Sequence, residues 1–65
     1  MTTYRFYLLN GDDLVDAWDF LLADDKQALE QARALCQDFD VEVWEGARLL
    51  ARLAPESRPV EKHLR

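Results

Sequence analysis

Apolar and polar residues alternate with a period of two along most of this chain, interrupted once by a helical spacing. The clearest case runs from Val41 to Leu53. Phe39, Val41 and Val43 alternate with Asp40, Glu42 and Trp44, Gly46 interrupts, and Leu49, Ala51 and Leu53 alternate with Arg48, Leu50 and Arg52. Such a run, broken by one glycine, predicts a β-hairpin. A second hairpin is predicted at the other end. Its first strand spans about Thr3 to Leu9, Asn10-Gly11-Asp12-Asp13 makes the turn, and its second strand spans about Leu14 to Leu22. Asn-Gly suits a tight turn in which both residues take positive φ. Asp16, Trp18, Phe20 and Leu22 form the bulkier parity of the second strand and are expected to face the core.

Between the hairpins the period changes. Ala28, Leu29, Ala32, Leu35 and Cys36 recur at three- and four-residue spacing within Lys26 to Gln37, a stretch rich in strong helix formers. Asp24 or Asp25 opens the helix, and Asp24 with Gln27 fits a loose capping box. Ala28 and Ala32 let the helix lie close to a sheet. The chain therefore reads β-β-α-β-β, an α+β domain of one helix packed on one face of a four-stranded, mostly antiparallel sheet. The first and third strands are expected to be neighbours. Residues 1–54 form the domain, and residues 55–65, polar and punctuated by Pro55 and Pro59, read as a flexible tail. Val60 and Leu64 in that tail could form one helical turn on a neighbour.

The register of the second hairpin follows from the hydrophobic pattern. A two-residue loop at Glu45-Gly46 would pair Val43 with Arg48 and Val41 with Leu50, setting the Phe39, Val41 and Val43 face against Arg48 and Arg52, which that pattern forbids. A three-residue loop ending in a left-handed Gly46 pairs Val43 with Ala47, Val41 with Leu49, Phe39 with Ala51 and Glu42 with Arg48. Positive φ is thus expected at Gly46.

One helix can shield only one side of such a sheet. The other side is expected to collect Arg5, Tyr7, Leu9, Ala17, Asp19, Leu21, Glu42, Trp44, Arg48, Leu50 and Arg52. Tyr7, Leu9, Leu21, Trp44 and Leu50 are its apolar members, ringed by charges of both signs, which is the anatomy of an interface. A homodimer, by face packing or by edge-strand pairing, would also relieve the small-core problem of 65 residues. Scattered exposed apolar residues on a monomer, and a site for a different protein, are the competing readings.

Composition narrows the function classes. The charged fraction of 32% and apolar fraction of 49% are those of a folded soluble domain. No apolar run approaches the ~20 residues of a membrane span, and no hydrophobic leader region follows Arg5. One cysteine, Cys36, allows no internal disulfide, so a reducing cytoplasm is the expected compartment. The net charge of −5 argues against nucleic-acid binding, which needs a basic patch. An acidic protein can instead imitate nucleic-acid charge and block a DNA- or RNA-binding protein, and this is the alternative function. The aromatic residues lack the basic surround of an RNA-binding sheet.

Catalysis has little to work with. His63 and Ser57 are the only histidine and serine, both in the tail, and Cys36 sits on the apolar stripe of the helix. Asn10, Asp12, Asp13 and Asp16 cluster near one turn, but turn chemistry explains them, and no calcium-loop, zinc or phosphate-loop spacing occurs. No catalytic residue, metal or cofactor is expected.

Tyr4-Arg5-Phe6-Tyr7-Leu8-Leu9-Asn10-Gly11-Asp12, then Ala23-Asp24-Asp25 opening an alanine-rich helix, then Val41 through Leu53, resembles a group of short uncharacterised bacterial proteins, commonest in alphaproteobacteria. The resemblance covers roughly residues 3–53, is most specific from Val41 to Leu53, and leaves out the tail. It implies a bacterial cytosolic protein and carries no site residue.

Overall fold

The computed structural model describes residues 1–55. Its elements are β1 (Thr2–Asn10), β2 (Asp13–Leu22), α1 (Asp25–Leu35), β3 (Asp40–Glu45) and β4 (Arg48–Leu53). The β-β-α-β-β order and α+β class match the expectation. All strand pairings are antiparallel in one sheet of order β2-β1-β3-β4, which puts the first and third strands side by side. Since β1 runs opposite to both neighbours, β2 and β3 are parallel. The helix therefore connects two parallel strands across the intervening β1.

Local chemistry starts and stops the helix. Asp24 has extended backbone and its carboxylate accepts from the Gln27 backbone N–H at 3.0 Å, satisfying a first-turn donor. Gln27 Oε1 accepts from Ala23 N–H at 3.1 Å, so the return bond of the capping box falls one residue before the cap. The helix ends at Leu35, two residues short of Gln37. There the Cys36 N–H donates to the Ala32 carbonyl at 2.9 Å, and the thiol donates to the Phe39 carbonyl at 3.4 Å. Phe39 lies just outside β3 and does not oppose Ala51.

The core lies between α1 and the sheet. Tyr4 and Phe6 of β1, Val41 and Val43 of β3, and Ala28 and Ala32 of α1 are buried. Leu8, Trp18, Phe20, Leu22, Leu35, Cys36, Leu50 and Leu53 pack around them. The two alanines bring the helix backbone down over β3, with flanking contacts to β4 and β2. Phe20 meets Phe6 edge to face at 5.2 Å between centroids, a preferred aromatic geometry. On this side Tyr4 Oη donates to Asp25 Oδ1 at 2.8 Å, and Arg48 Nη2 reaches both Asp25 oxygens at 3.2 and 3.3 Å while also binding Glu45. The hydrogen bond to the Asp25 carboxylate is the main cause that pushes the Tyr4 phenol up to about 12, with burial next. The Tyr4 and Arg48 bonds hold the Asp25 carboxyl below its usual value.

Both hairpins correct the sequence reading in the same way. Each has a two-residue loop led by glycine, Gly11-Asp12 and Gly46-Ala47, with φ of +64° and +59° at the glycines. Positive φ at Gly46 agrees with expectation, but the three-residue loop does not form. Asn10 is instead the last residue of β1, without positive φ. Each hairpin also carries an extra residue in its second strand. Leu9 pairs with Leu14 and Leu8 with Asp16, leaving Val15 unpaired. Trp44 pairs with Leu49 and Val43 with Ala51, leaving Leu50 unpaired. Without these bulges, continuing the turn register would put Trp18, Phe20 and Leu22 on the helix-free side and set Arg52 opposite Val41. The bulges shift each strand by one residue and return the apolar parity to the helix side.

Glu42 accordingly pairs with Arg52, not Arg48, and Arg48 opposes Glu45. β4 ends at Leu53 and Pro55 is buried. The rest of the proposed tail, with Ser57, Val60, His63 and Leu64, lies outside the described residues. Among the described residues no helix is long and apolar enough to cross a membrane.

Candidate functional site

The face away from α1 can be mapped from strand register. One row across it reads Asp19, Arg5, Trp44 and Leu49, from β2 through β1 and β3 to β4. The next row reads Ala17, Tyr7, Glu42 and Arg52. Beyond these, Leu14, Leu9 and Asp40 stand together toward the β1–β2 turn. This face is concave. The concavity has a volume of about 800 Å³. Its floor is the outward row of β1, Thr3, Arg5, Tyr7 and Leu9, and its walls are Leu14 and Asp19 on one side and Glu42, Trp44 and Gly46 on the other.

The charges on this face are paired within the chain. Arg5 binds Asp19 through two nitrogens, Nε at 2.6 Å and Nη2 at 3.1 Å. That contact raises the Arg5 guanidinium, chiefly through the Asp19 hydrogen bond, and lowers the Asp19 carboxyl. Arg52 makes three contacts. Nη1 donates to Glu42 Oε2 at 2.8 Å, and Nη2 donates to the buried Asp40 at 3.0 Å and to the Gly11 carbonyl at 3.1 Å. Asp40 is the first cause of the raised Arg52 value. Arg52 thereby ties β4 across β3 to the first hairpin turn. The Trp44 indole N–H donates to the other Glu42 oxygen at 2.9 Å, which holds the ring beside Arg5.

Three of the five proposed interface residues, Tyr7, Leu9 and Trp44, line the concavity and are half-buried. Leu21 is on the same side but outside the concavity, 62% exposed at the β2 edge opposite Thr3. Leu50 is not on this face. As the bulge residue it turns toward the helix and packs against the core. Arg48 is also displaced, since it faces Asp25 and Glu45 on the helix side. In their place the structure brings in Leu14, 58% exposed, and Leu49, 48% exposed. The signal for these two was the conflict between a two-residue loop and the apolar parity, which an added residue resolves.

The arrangement interleaves apolar and aromatic side chains with ion pairs made within the chain. Among the described residues it brings no serine, cysteine or histidine into the concavity. Among the described residues no group of three or more His, Cys, Asp or Glu is placed to hold a metal ion. Fold and face together define a small α+β sheet domain with one covered side and one uncovered side. Comparison with protein-family models, with curated proteins and with solved structures finds no match.

Proposed function

We propose that this protein is a non-enzymatic interaction module of the bacterial cytoplasm that self-associates through its helix-free sheet face. The observation that carries this reading is the concavity in which Tyr7, Leu9, Leu14 and Trp44 stand among Arg5, Asp19 and Glu42 on the side no helix shields. Aromatic anchors inside a charged frame are how interface centres are built.

The face is favoured over the sheet edges. β2 carries Asp13, Asp16 and Asp19 and is bulged at Val15, and β4 carries Arg48 and Arg52 and is bulged at Leu50. Charges and bulges on edge strands discourage strand addition. The non-enzymatic part rests on the inventory of side chains, in which the Cys36 thiol is occupied by the Phe39 carbonyl.

Sedimentation velocity at tens of micromolar tests the reading. Wild type should sediment as a dimer, and Trp44→Arg should be monomeric with unchanged circular dichroism and a cooperative melt. A wild-type particle of 7.6 kDa that stays soluble refutes the proposal. Unfolding of Trp44→Arg would mean that Trp44 belongs to the core.

A further inference from the structure

β2 is the longer of the two edge strands, ten residues against six in β4, and among the described residues its outer side pairs with no other strand. The first hairpin turn sets the direction of its backbone groups. In an antiparallel ladder, hydrogen-bonded and non-hydrogen-bonded residue pairs alternate. Asn10 and Asp13 flank the two-residue loop and form a hydrogen-bonded pair, so Leu8, Phe6 and Tyr4 also direct their backbone groups toward β2. The pairs Tyr7–Ala17, Arg5–Asp19 and Thr3–Leu21 are then the non-hydrogen-bonded ones. Ala17, Asp19 and Leu21 therefore turn their N–H and C=O groups outward, away from β1. Open backbone groups of this kind are a template for another strand.

One of these donors is already taken. The Ala17 N–H donates to Oδ1 of the preceding residue, Asp16, at 2.8 Å. A bond from a neighbouring aspartate to the backbone competes with a sheet ladder, and its charge makes it stronger than a neutral one. The Asp16 carboxylate oxygen lies where the carbonyl of an incoming strand would have to sit. Val15, two residues before Ala17, is the unpaired bulge residue, so Ala17 is the first outward residue in the regular part of β2. β2 ends at Leu22. With Ala17 capped, the outward donors left are those of Asp19 and Leu21. Asp16 is exposed, so the core does not depend on it.

We infer that Asp16 is an intramolecular stopper, whose carboxylate occupies the Ala17 amide and holds the β2 edge closed to strand addition. A strand docking there has to break a charge-assisted bond before it makes its own. When two copies meet edge to edge, both caps must open. A purified protein meets only copies of itself, so edge-to-edge pairing is what loss of the cap allows. This backbone edge is separate from the concavity on the helix-free face, whatever that face binds.

Amide hydrogen exchange by NMR reads the cap directly, and sedimentation velocity at tens of micromolar reads its consequence. Both are applied to the full chain as wild type, Asp16→Asn and Asp16→Ala. Asparagine keeps an acceptor at the same place without the charge, and alanine removes both. In wild type and Asp16→Asn the Ala17 amide should exchange about threefold or more slowly than the Leu21 amide, each relative to its unstructured rate. In Asp16→Ala the two should be alike. Asp16→Ala should also gain a larger species over wild type, associating roughly tenfold or more tightly than Asp16→Asn. Methylating the Leu21 amide nitrogen of the Asp16→Ala chain by chemical synthesis should abolish that species, because it removes an outward donor and leaves the β1 ladder untouched. Because every comparison is with wild type, the answer is the same for a monomeric and a dimeric parent. A wild-type Ala17 amide that exchanges as fast as Leu21 overturns the cap. Asp16→Ala sedimenting like wild type overturns the stopper, since the edge then needs none. Asp16→Asn associating as tightly as Asp16→Ala overturns it too, since charge and not the hydrogen bond then closes the edge. A gained species that survives Leu21 methylation is no edge pairing and overturns it as well.

Discussion

Gly46 offers the sharpest test of the second hairpin, because its replacement separates backbone strain from packing. Its φ of +59° lies in the region that L side chains avoid, and Ala47 beside it has no positive φ. Glycine in the first of two loop positions is the requirement of a type II′ turn. A Cβ built on Gly46 meets nothing within 4 Å, so an added methyl has no steric consequence beyond its own backbone. For an L residue the strain of that conformation costs about 1–2 kcal/mol. In a domain of this size 1 kcal/mol moves Tm by about 4–8 °C, so Gly46→Ala should melt roughly 4–16 °C lower. A D-alanine at the same position prefers positive φ and restricts the unfolded chain, which stabilises by about 0.4–1 kcal/mol. The chain is 65 residues long and open to chemical synthesis. The assay is paired thermal melts by circular dichroism of the wild-type, L-alanine and D-alanine proteins. Opposite signs for the two enantiomers are expected. Shifts of the same sign, or an L-alanine form within ~1 °C of wild type, refute the turn geometry.

Further outcomes follow from the same structure. Phe6 is fully buried against Phe20, so Phe6→Ala should cost about 3–5 kcal/mol and leave little cooperative unfolding in a urea titration. Leu49 and Leu50 are sequence neighbours on opposite sides of the sheet. Leu50→Ser should destabilise by about 1–3 kcal/mol by the same titration, whereas Leu49→Ser should leave the midpoint nearly unchanged and weaken association. Equal effects of the two serines would contradict the bulge. The Tyr4–Asp25 bond sets an alkaline limit. The phenol titrates higher when folded, so its contribution is intact below pH ~10 and is lost as pH rises through about 12. Tyr4→Phe should abolish that part of the alkaline unfolding. Asp25 and Asp19 titrate lower when folded, so their contribution is present above the ordinary carboxylate range near pH 4 and declines as pH falls through their folded values. Asp25→Asn should therefore flatten the acid limb of a stability–pH profile.

Much of the architecture was legible from short-range chemistry. The period of two in Tyr4-Phe6-Leu8 and Val41-Val43 chose which side of each strand is buried, since successive strand residues must point to opposite faces. Asp24, Gln27 and the alanine-rich run announced where the helix begins and how closely it approaches the sheet. Tyr7, Leu9 and Trp44 were assigned to the uncovered face by the same alternation, because β1 and β3 run through the sheet without an added residue.

The tertiary structure alone decided where the two bulges fall, and with them the membership of the face. Val15 and Leu50 carry no local mark that distinguishes them from their neighbours. Each is displaced because a glycine-led two-residue turn sets one register while the apolar residues further along demand the next. Only the packing of Trp18, Phe20 and Leu53 beside the helix resolves that conflict. The pairing of Arg52 with Glu42 and Asp40 on the neighbouring strand, and of Arg48 with Asp25 at the helix start, follows from that resolution. Alternation along a strand is written in the sequence, but strand order and offset are collective. They depend on which set of side chains the helix can bury at once.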